Sequence, residues 1–275
     1  MIYRELGRTG LRVSQLGFGA MRLPMTEVDG EQVDGWWGHT IGCQWGDFDG
    51  DGDFDLIACN LAHPRDSKFS NRTMLYRNDG PGKPFAEVRR EWGIKYDECH
   101  SEPVWGDFDN DGDLDLYITC VYPDRRSYLY RNDGGRFTDV TFLSGTRVFN
   151  GWGCATADFD GDGDLDLAAC GGGKVELFRN DGGGRNWLEI ALDDSGYTDR
   201  TAIGAVVIAH FDGRRAIRQV EGGKGAGSQS SLVVHFGLGE AESAEVEVHS
   251  GKFACTRRLA ANQRHRIRLA EAEQR

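Results

Sequence analysis

The chain has 275 residues, of which 39% are hydrophobic and 28% are charged, and its formal net charge is −12. This length allows one large domain or two smaller ones, each with its own core. The acidity argues against nucleic-acid binding, which requires a basic surface. The apolar runs are much shorter than the roughly 18 residues of a membrane span, and the opening residues lack the pattern of a secretory signal. We therefore expect no nucleic-acid partner, no membrane span and no signal peptide.

Residues 1–34 form the first predicted segment. Within it, YRELGRTGLRVSQLGFGAMRLP (3–24) resembles the opening of the aldo/keto reductases, where a short hairpin precedes the first barrel strand. A barrel of that kind needs roughly 200 residues or more. The sequence after residue 34 shows neither alternating strands and helices nor motifs matching the family's catalytic residues. We therefore expect an aldo/keto-reductase-like fragment without reductase activity.

Three Asp-rich windows follow, and they are internal repeats: DFDGDGDFDL from Asp47, DFDNDGDLDL from Asp107 and DFDGDGDLDL from Asp158. Each window holds five Asp residues, and removing these fifteen charges would turn the net charge of −12 into +3. The acidity of the protein therefore belongs to three local features, while the rest of the chain is close to neutral.

The windows share the pattern D-x-D-x-D-G-x-x-D, with carboxylates at positions 1, 3, 5 and 9 and a glycine at the turn. Calcium prefers about six to eight hard oxygen ligands in a flexible loop, which these side chains and the position-7 carbonyl can supply. Magnesium is disfavoured because it takes few carboxylates and keeps its waters. We predict about three Ca²⁺ sites, with the candidate ligands Asp47, Asp49, Asp51, Asp53 and Asp55; Asp107, Asp109, Asp111, Asp113 and Asp115; and Asp158, Asp160, Asp162, Asp164 and Asp166.

An EF-hand and a solvated acidic turn are the two alternatives for these windows. An EF-hand loop needs Glu at position 12 and a helix on either side. Here position 12 is Ala58, Ile118 or Ala169, and the flanking residues have a strand-like pattern. A solvated turn would leave five crowded carboxylates that repel one another. A β-flanked calcium loop fits the pattern better than either alternative.

Each window is followed by an apolar, strand-like stretch and then by a second shared motif: LYRNDG at 75–80, LYRNDG at 129–134 and LFRNDG at 177–182. Asn-Asp-Gly between apolar alternations predicts a tight hairpin turn. The windows recur after 60 and then 51 residues, close to the roughly 40–50 residues typical of propeller blades. The repeats therefore predict short antiparallel strands grouped into three blades.

Two resemblances agree with these patterns. Residues 35–185 resemble the FG-GAP/VCBS repeats of integrin-like β-propellers, whose calcium loops join two strands of a blade. Residues 186–275 resemble the ASPIC/UnbV domain of proteins similar to the cartilage acidic protein family, on the motifs NWLEIAL (186–192), IGAVV (203–207), RQVEGGKGAGSQS (218–230) and VHFGLG (234–239). The predicted fold class is all-β: a partial β-propeller of three calcium-loop blades followed by a small β domain.

The resemblance implies a calcium-binding, non-enzymatic module that interacts with protein or carbohydrate in an extracellular or periplasmic setting. The alternative is an enzyme, either a residual aldo/keto-reductase-type oxidoreductase or an activity of the C-terminal domain. No G-x-S-x-G nucleophile motif and no H-E-x-x-H metal motif is present. The sequence therefore favours the binding module and predicts no catalytic residues.

Four of the seven cysteines stand symmetrically about the first and third windows. If each loop closes a hairpin centred on Asp51 or Gly52, Cys43 lies opposite Cys59, and Cys154 lies opposite Cys170 by the same rule. Directly opposed residues are close enough for a disulfide. Buried free thiols are the alternative, and Cys99, Cys120 and Cys255 have no assigned partner.

Overall fold

The computed structural model describes residues 3–5, 12–14, 24–28, 31–37, 39–61, 72–95, 97, 99–193, 202–225, 227–251 and 253–269, with side chains from residue 40 onward. Near the N-terminus, β1 (Tyr3–Glu5) pairs antiparallel with β2 (Arg12–Ser14), and β3 (Pro24–Val28) pairs antiparallel with β4 (Glu31–Trp37). The side chains of the reductase-like fragment therefore lie outside the described residues.

Three antiparallel meanders form the blades, and in each sheet the strands lie in chain order. Blade one is β5 (His39–Gly46), β6 (Asp55–Leu61), β7 (Met74–Arg77) and β8 (Ala86–Glu87). Blade two is β9 (His100–Gly106), β10 (Asp115–Cys120), β11 (Tyr128–Asn132) and β12 (Phe137–Asp139), followed by the short helix α1 (Thr141–Ser144). Blade three is β13 (Gly151–Ala157), β14 (Asp166–Gly171) and β15 (Lys174–Phe178). The prediction of three propeller-like blades, with an Asp loop joining the first two strands of each, is confirmed.

The C-terminal part is a two-sheet β domain. Its strands are β16 (Asn186–Asp193), β17 (Val206–Phe211), β18 (Arg214–Gln219), β19 (Val234–Gly239), β20 (Ser243–Ser250), β21 (Phe253–Ala260) and β22 (Gln263–Arg268). One sheet has the order β19-β16-β22, with β16 and β22 parallel, and the other has the order β18-β17-β20-β21. Alternating apolar residues such as Leu188, Val207, Phe236 and Val246 form a shared core between the two sheets. This arrangement confirms the predicted small β domain.

Aromatic rings join blades one and two. Phe48, in the first Asp loop, lies edge-on to Trp92 with ring centroids 4.6 Å apart and stacks on Trp105 at 6.1 Å. Phe137 of β12 packs against the same rings. Burying such large apolar surfaces is the main favourable contribution to folding. The position-2 Phe of the first loop is therefore also a core residue of the neighbouring blade.

The predicted opposition of the cysteines is wrong by one residue. Gly46 pairs with Asp55, so Cys43 lies opposite Ala58 and Cys59 lies opposite Gly42. In blade three, Cys154 lies opposite Ala169 and Cys170 opposite Gly153. In blade one the paired strands enclose an eight-residue segment, residues 47–54. The centre of this hairpin therefore lies closer to the N-terminus than the predicted centre at Asp51 or Gly52. Adjacent positions of a strand face opposite sides, so the cysteines of each pair point apart, and all of them are free thiols.

Among the described residues, no helix combines the length and the hydrophobicity that a membrane crossing requires.

Candidate metal centres

Each Asp loop gathers three carboxylates at one end of its blade. The groups are Asp47, Asp49 and Asp55 in blade one, Asp107, Asp109 and Asp115 in blade two, and Asp158, Asp160 and Asp166 in blade three. In every group one oxygen of each residue lies within 4.8 Å of the others. Positions 1, 3 and 9 of the repeated pattern therefore converge, although position 1 follows the first strand of the blade and position 9 begins the second strand.

The position-9 Asp organises each loop through two backbone hydrogen bonds. In blade two, Asp115 accepts from the amide of Phe108 at 3.0 Å and from the amide of Asn132 at 2.7 Å. Asp55 and Asp166 make the equivalent pairs of bonds in blades one and three. Each position-9 Asp thus connects its own loop, between the first two strands of the blade, to the Asn of the Arg-Asn-Asp-Gly motif at the end of the third strand.

The position-1 Asp closes the turn. Asp107 accepts from the amides of Asp111 at 3.0 Å and Gly112 at 2.9 Å. The glycine at position 6 has a φ of 91° in Gly52, 96° in Gly112 and 93° in Gly163. A side chain in that region of φ is strained, so the predicted need for glycine at the turn is confirmed.

Burial of these carboxylates is costly without a cation. It raises the pKa of Asp47 to about 6, of Asp107 to about 7 and of Asp55 to about 8. The Arg218 guanidinium opposes this rise for Asp47 and Asp107, and neighbouring Asp residues add to it. Two buried oxygens, Oδ1 of Asp47 and Oδ1 of Asp109, accept no hydrogen bond from the described residues. Hard oxygen atoms that are clustered, buried and unsatisfied are the donor set that a divalent oxygen-loving cation requires. The residues present therefore fit such an ion.

The other candidate ligands stand outside the converging groups. At position 5, Asp51, Asp111 and Asp162 each accept a hydrogen bond from the amide of position 7 at 2.9 Å. At position 7, the carboxylate of Asp113 pairs with Arg214, and that of Asp164 accepts from Asn110 at 2.6 Å. The structure thus brings together positions 1, 3 and 9, whereas positions 5 and 7 shape the loop or contact neighbouring segments.

The Asn of the Arg-Asn-Asp-Gly motif has a role that its interpretation as a hairpin turn missed. The side-chain amide of Asn132 donates to the carbonyl of Phe48 in the preceding blade at 2.8 Å. In the same way, Asn180 donates to the carbonyl of Phe108 at 2.7 Å. The recurrence of Asn at this position is the sequence signal, but its partner lies 84 or 72 residues away. The motif therefore connects consecutive loops.

The C-terminal domain also reaches the loops, which the sequence interpretation missed. Arg214 donates to the carbonyl of Asp111 and Arg215 to that of Gly52, both at 2.6 Å. Arg264 lies 3.6 Å from Asp158, and the backbone amide of Gly237 donates to Asp107 at 3.1 Å. The run of arginines in β18 is the only local signal for this contact. The acidic loops are thus covered on one side by cationic and amide donors from the second domain.

Comparison with known proteins agrees with this architecture. The FG-GAP-like repeat family matches residues 47–118 and 107–169, and the ASPIC and UnbV family matches residues 196–274. The chain carries FG-GAP-like repeats followed by an ASPIC and UnbV domain. Both matches confirm the predicted resemblances for these segments. The matched residues begin at position 47, so the reductase-like interpretation of residues 3–24 gains no support from them.

Curated relatives match about three quarters of this chain. Cartilage acidic protein 1 of Homo sapiens is 25% identical over 239 residues, covering 76% of this chain and 32% of that protein. The Xenopus tropicalis protein of the same name is 26% identical over 235 residues, covering 78% of this chain and 34% of the relative. The chain thus spans about a third of the length of these relatives.

Proposed function

We propose that the protein is a calcium-binding, non-enzymatic propeller module for interaction with a protein or glycan ligand. The observation that carries this proposal is the threefold recurrence of one converging carboxylate group, at positions 1, 3 and 9 of each loop. A bound Ca²⁺ would neutralise part of the charge of each loop, and in the first two loops it would satisfy a buried oxygen that has no hydrogen-bond partner. The ion would thereby hold the ends of the first two strands of each blade together.

The remaining Asp residues complete the proposed ligand set. Position 5 stands next to the converging group in sequence, and position 7 has a backbone carbonyl that a seven- or eight-ligand ion could use. Calcium tolerates this variety of ligands, whereas magnesium requires a near-ideal octahedron. We propose calcium for all three loops, with the fifteen Asp residues named above as ligands or loop formers.

We propose the domain division that the resemblances imply: residues 1–34 as an N-terminal fragment, 35–185 as the repeats and 186–275 as the C-terminal domain. The separate core shared by the two C-terminal sheets supports the second boundary. The kinship with cartilage acidic protein 1 supports an extracellular setting for this module, and the absence of a catalytic constellation in the sequence supports a binding role.

The exposed edge of blade three is the surface that best suits a protein ligand. On β15, the side chains of Val175 and Leu177 are 71% and 58% exposed. Trp152, on β13 at the opposite edge of the same sheet, is 53% exposed. Exposed apolar side chains on an outer strand favour pairing with another chain. We propose that a protein ligand pairs with this strand, while a glycan would depend mainly on the exposed Trp.

Calorimetric titration of chelator-stripped protein with CaCl₂ tests the metal proposal. We expect about three sites, a loss of one site in Asp107→Asn, and no loss in the control Asp124→Asn, whose side chain is 82% exposed. Titration with MgCl₂ should give much weaker binding. An absence of calcium binding at millimolar concentration, or equal binding by wild type and Asp107→Asn, would contradict the proposal.

Glycan and extracellular-protein arrays, probed in calcium and in EDTA, test the binding role. Binding that depends on calcium and that is lost in Leu177→Asp supports a protein ligand at the blade-three edge. Turnover of substrates in a broad enzymatic screen, including carbonyl compounds with NADPH, would instead support the enzyme alternative.

A further inference from the structure

Two buried thiols and a carboxylate meet at the end of blade two that is remote from its Asp loop. The Cys99 thiol donates to Oδ1 of Asp97 at 2.9 Å. One ligand atom each of Asp97, Cys99 and Cys120 lies within 4.8 Å of the others, and Cys99 and Cys120 are fully buried. The two sulfur atoms are therefore within 4.8 Å of each other. Among the described residues, no other group of this kind contains two cysteines.

The backbone around the two cysteines supports this proximity. Cys120 is the last residue of β10 and lies opposite His100, the neighbour of Cys99. The next amide, that of Val121, donates to the carbonyl of Cys99 at 2.9 Å. The strand register shifts between Ile118 and Cys120, directly before this contact. Regular pairing with this offset of one residue would turn the two side chains apart. The measured approach of the two sulfur atoms is therefore the observation that suits a disulfide.

We propose that Cys99 and Cys120 form a disulfide when the protein is exposed to a low-molecular-weight disulfide such as oxidised glutathione. One cysteine thiolate attacks the oxidant, releases one small thiol and forms a mixed disulfide. The second thiolate then displaces the other small thiol. Two S–H bonds of the protein and one S–S bond of the oxidant are exchanged for one protein S–S bond and two thiols.

Asp97 retains its partners after this change. Its Oδ2 accepts from the Tyr128 hydroxyl at 2.7 Å, and the Arg125 guanidinium lies 3.6 Å from its Oδ1. The Asp97 carboxylate therefore keeps a hydrogen bond from Tyr128 and an ion pair with Arg125 when the Cys99 donor is lost. The adjacent Cys120 thiol, together with burial and Asp97, raises the pKa of the Cys99 thiol above its usual range. Because the thiolate is the reactive form, the bond should form during folding or local opening and slowly in the intact fold.

The new bond would close blade two at the end opposite its Asp loop. It would link the start of β9 to the end of β10, while the Asp107 group links the other ends of the same two strands. Cys99 also forms an isolated bridge with Leu61 of blade one. The disulfide would therefore constrain β9 and β10, the strand pair of blade two that packs between blades one and three.

Peptide mapping of the full chain, refolded in a mixture of reduced and oxidised glutathione, tests the proposal. Cys99 and Cys120 share the tryptic peptide 96–125, whereas Cys43 and Cys59 lie in 23–65, and Cys154 and Cys170 lie in 148–174. We expect peptide 96–125 to be two hydrogen masses lighter without reduction and to resist alkylation. Cys120→Ser should abolish this change, and the matched control Cys43→Ser should keep it.

Three results would overturn the proposal. Alkylation of both thiols in peptide 96–125 after oxidative refolding would show that no bond forms. A link between peptides 23–65 and 96–125 would show that a blade-one cysteine is the partner instead. One equivalent of zinc bound by purified protein, and lost in Cys99→Ser, would show that Asp97, Cys99 and Cys120 hold a metal.

A thermal melt supplies an independent measurement. Closing a loop of this length should raise the melting temperature by roughly 5–10 °C over the value in reductant. The double variant Cys99→Ser/Cys120→Ser should show no effect of reductant, whereas Cys43→Ser should respond as wild type does. Equal melting temperatures with and without reductant in wild type would contradict the constraint.

Discussion

Blades two and three have nearly the same Asp loop, but the protein around them is different. All residues of β9 and β10 are buried, since blade two packs between blade one and β13 of blade three. In blade three, β15 is an outer strand whose Val175 and Leu177 side chains are largely exposed. The comparison shows that the repeated sequence specifies the loop, while the position of the blade determines how strongly its strands are supported.

The loops themselves reflect this difference. Asn110 of the second loop stands where the first and third loops have Gly50 and Gly161, and it adopts a φ of 56°. Its side chain donates to Asp164 of the third loop at 2.6 Å, and its carbonyl accepts from the amide of Gly239 at 2.9 Å. The second loop is thus attached to the third blade and to the C-terminal domain.

Removal of the proposed calcium ions should lower the free energy of unfolding more than any other change considered for blades two and three. A ligand at a hundred times its dissociation constant stabilises the native state by about 2.7 kcal/mol per site, and three independent sites would contribute about three times as much. Asp107→Ala and Asp158→Ala should each lose about one such contribution in calcium and much less in EDTA. Chemical unfolding under both conditions measures the difference. Equal losses in calcium and in EDTA would mean that these residues are turn formers only.

The next largest difference between blades two and three should appear when a leucine is truncated in each of them. Leu116 of β10 is fully buried, so Leu116→Ala should cost about 2–5 kcal/mol of unfolding free energy, because a cavity remains. Leu177→Ala, on the exposed face of β15, should change it by about 0.5 kcal/mol or less. Urea unfolding in saturating calcium gives both values. Similar costs would mean that the exposed face of blade three is covered in solution.

Truncating the asparagines that connect the loops should likewise cost more unfolding free energy in blade two than in blade three. Asn132 is buried and also donates to the carbonyl of Leu114, so Asn132→Ala should cost about 1–3 kcal/mol by leaving carbonyls unsatisfied. Asn180→Ala should cost less, because its surroundings are only partly buried and water can replace the lost donor. A matched pair of unfolding curves checks the order, and a larger loss for Asn180→Ala would contradict it.

The smallest effect concerns pH and the last strand of blade two. Burial alone would raise the pKa of Asp139, but hydrogen bonds from Lys95, Thr141 and Arg126 outweigh it and hold the pKa well below its usual range. The resulting stabilisation is therefore present above the unfolded pKa of about 3.9 and is lost as the pH falls toward the folded value. Its size should be about 1 kcal/mol.

Asp139→Asn tests this dependence. The variant should be less stable than wild type at pH 7. The difference should shrink below about pH 4, because Asp139 becomes protonated in the unfolded wild-type chain before it does in the folded one. Unfolding free energies in EDTA at several pH values measure it. Blade three, within the described residues, ends at β15 and has no equivalent strand. A difference that stays constant with pH would contradict the charge-based explanation.

Local chemistry was enough to predict much of this protein. The Asp spacing with glycine at position 6 predicted the turn, and the three groups at positions 1, 3 and 9 lie where that spacing brings them. Alternating apolar residues predicted the strands, because the two-residue period of a strand is written directly in the sequence. The number of blades followed from the repeats, since each repeat is a single supersecondary unit.

Tertiary structure alone decided the contacts between distant segments. Whether Cys43 faces Cys59 depends on a register shift of one residue, which reverses the face of every side chain. The bonds from Asn132 to Phe48 and from Arg214 to Asp111 join residues 84 and 103 positions apart, and no local pattern specifies such partners. The meeting of Cys99 with Cys120 likewise occurs beside an irregularity at the end of β10. Sequence periodicity determines which elements form and which side faces inward, whereas register and packing determine which side chains meet.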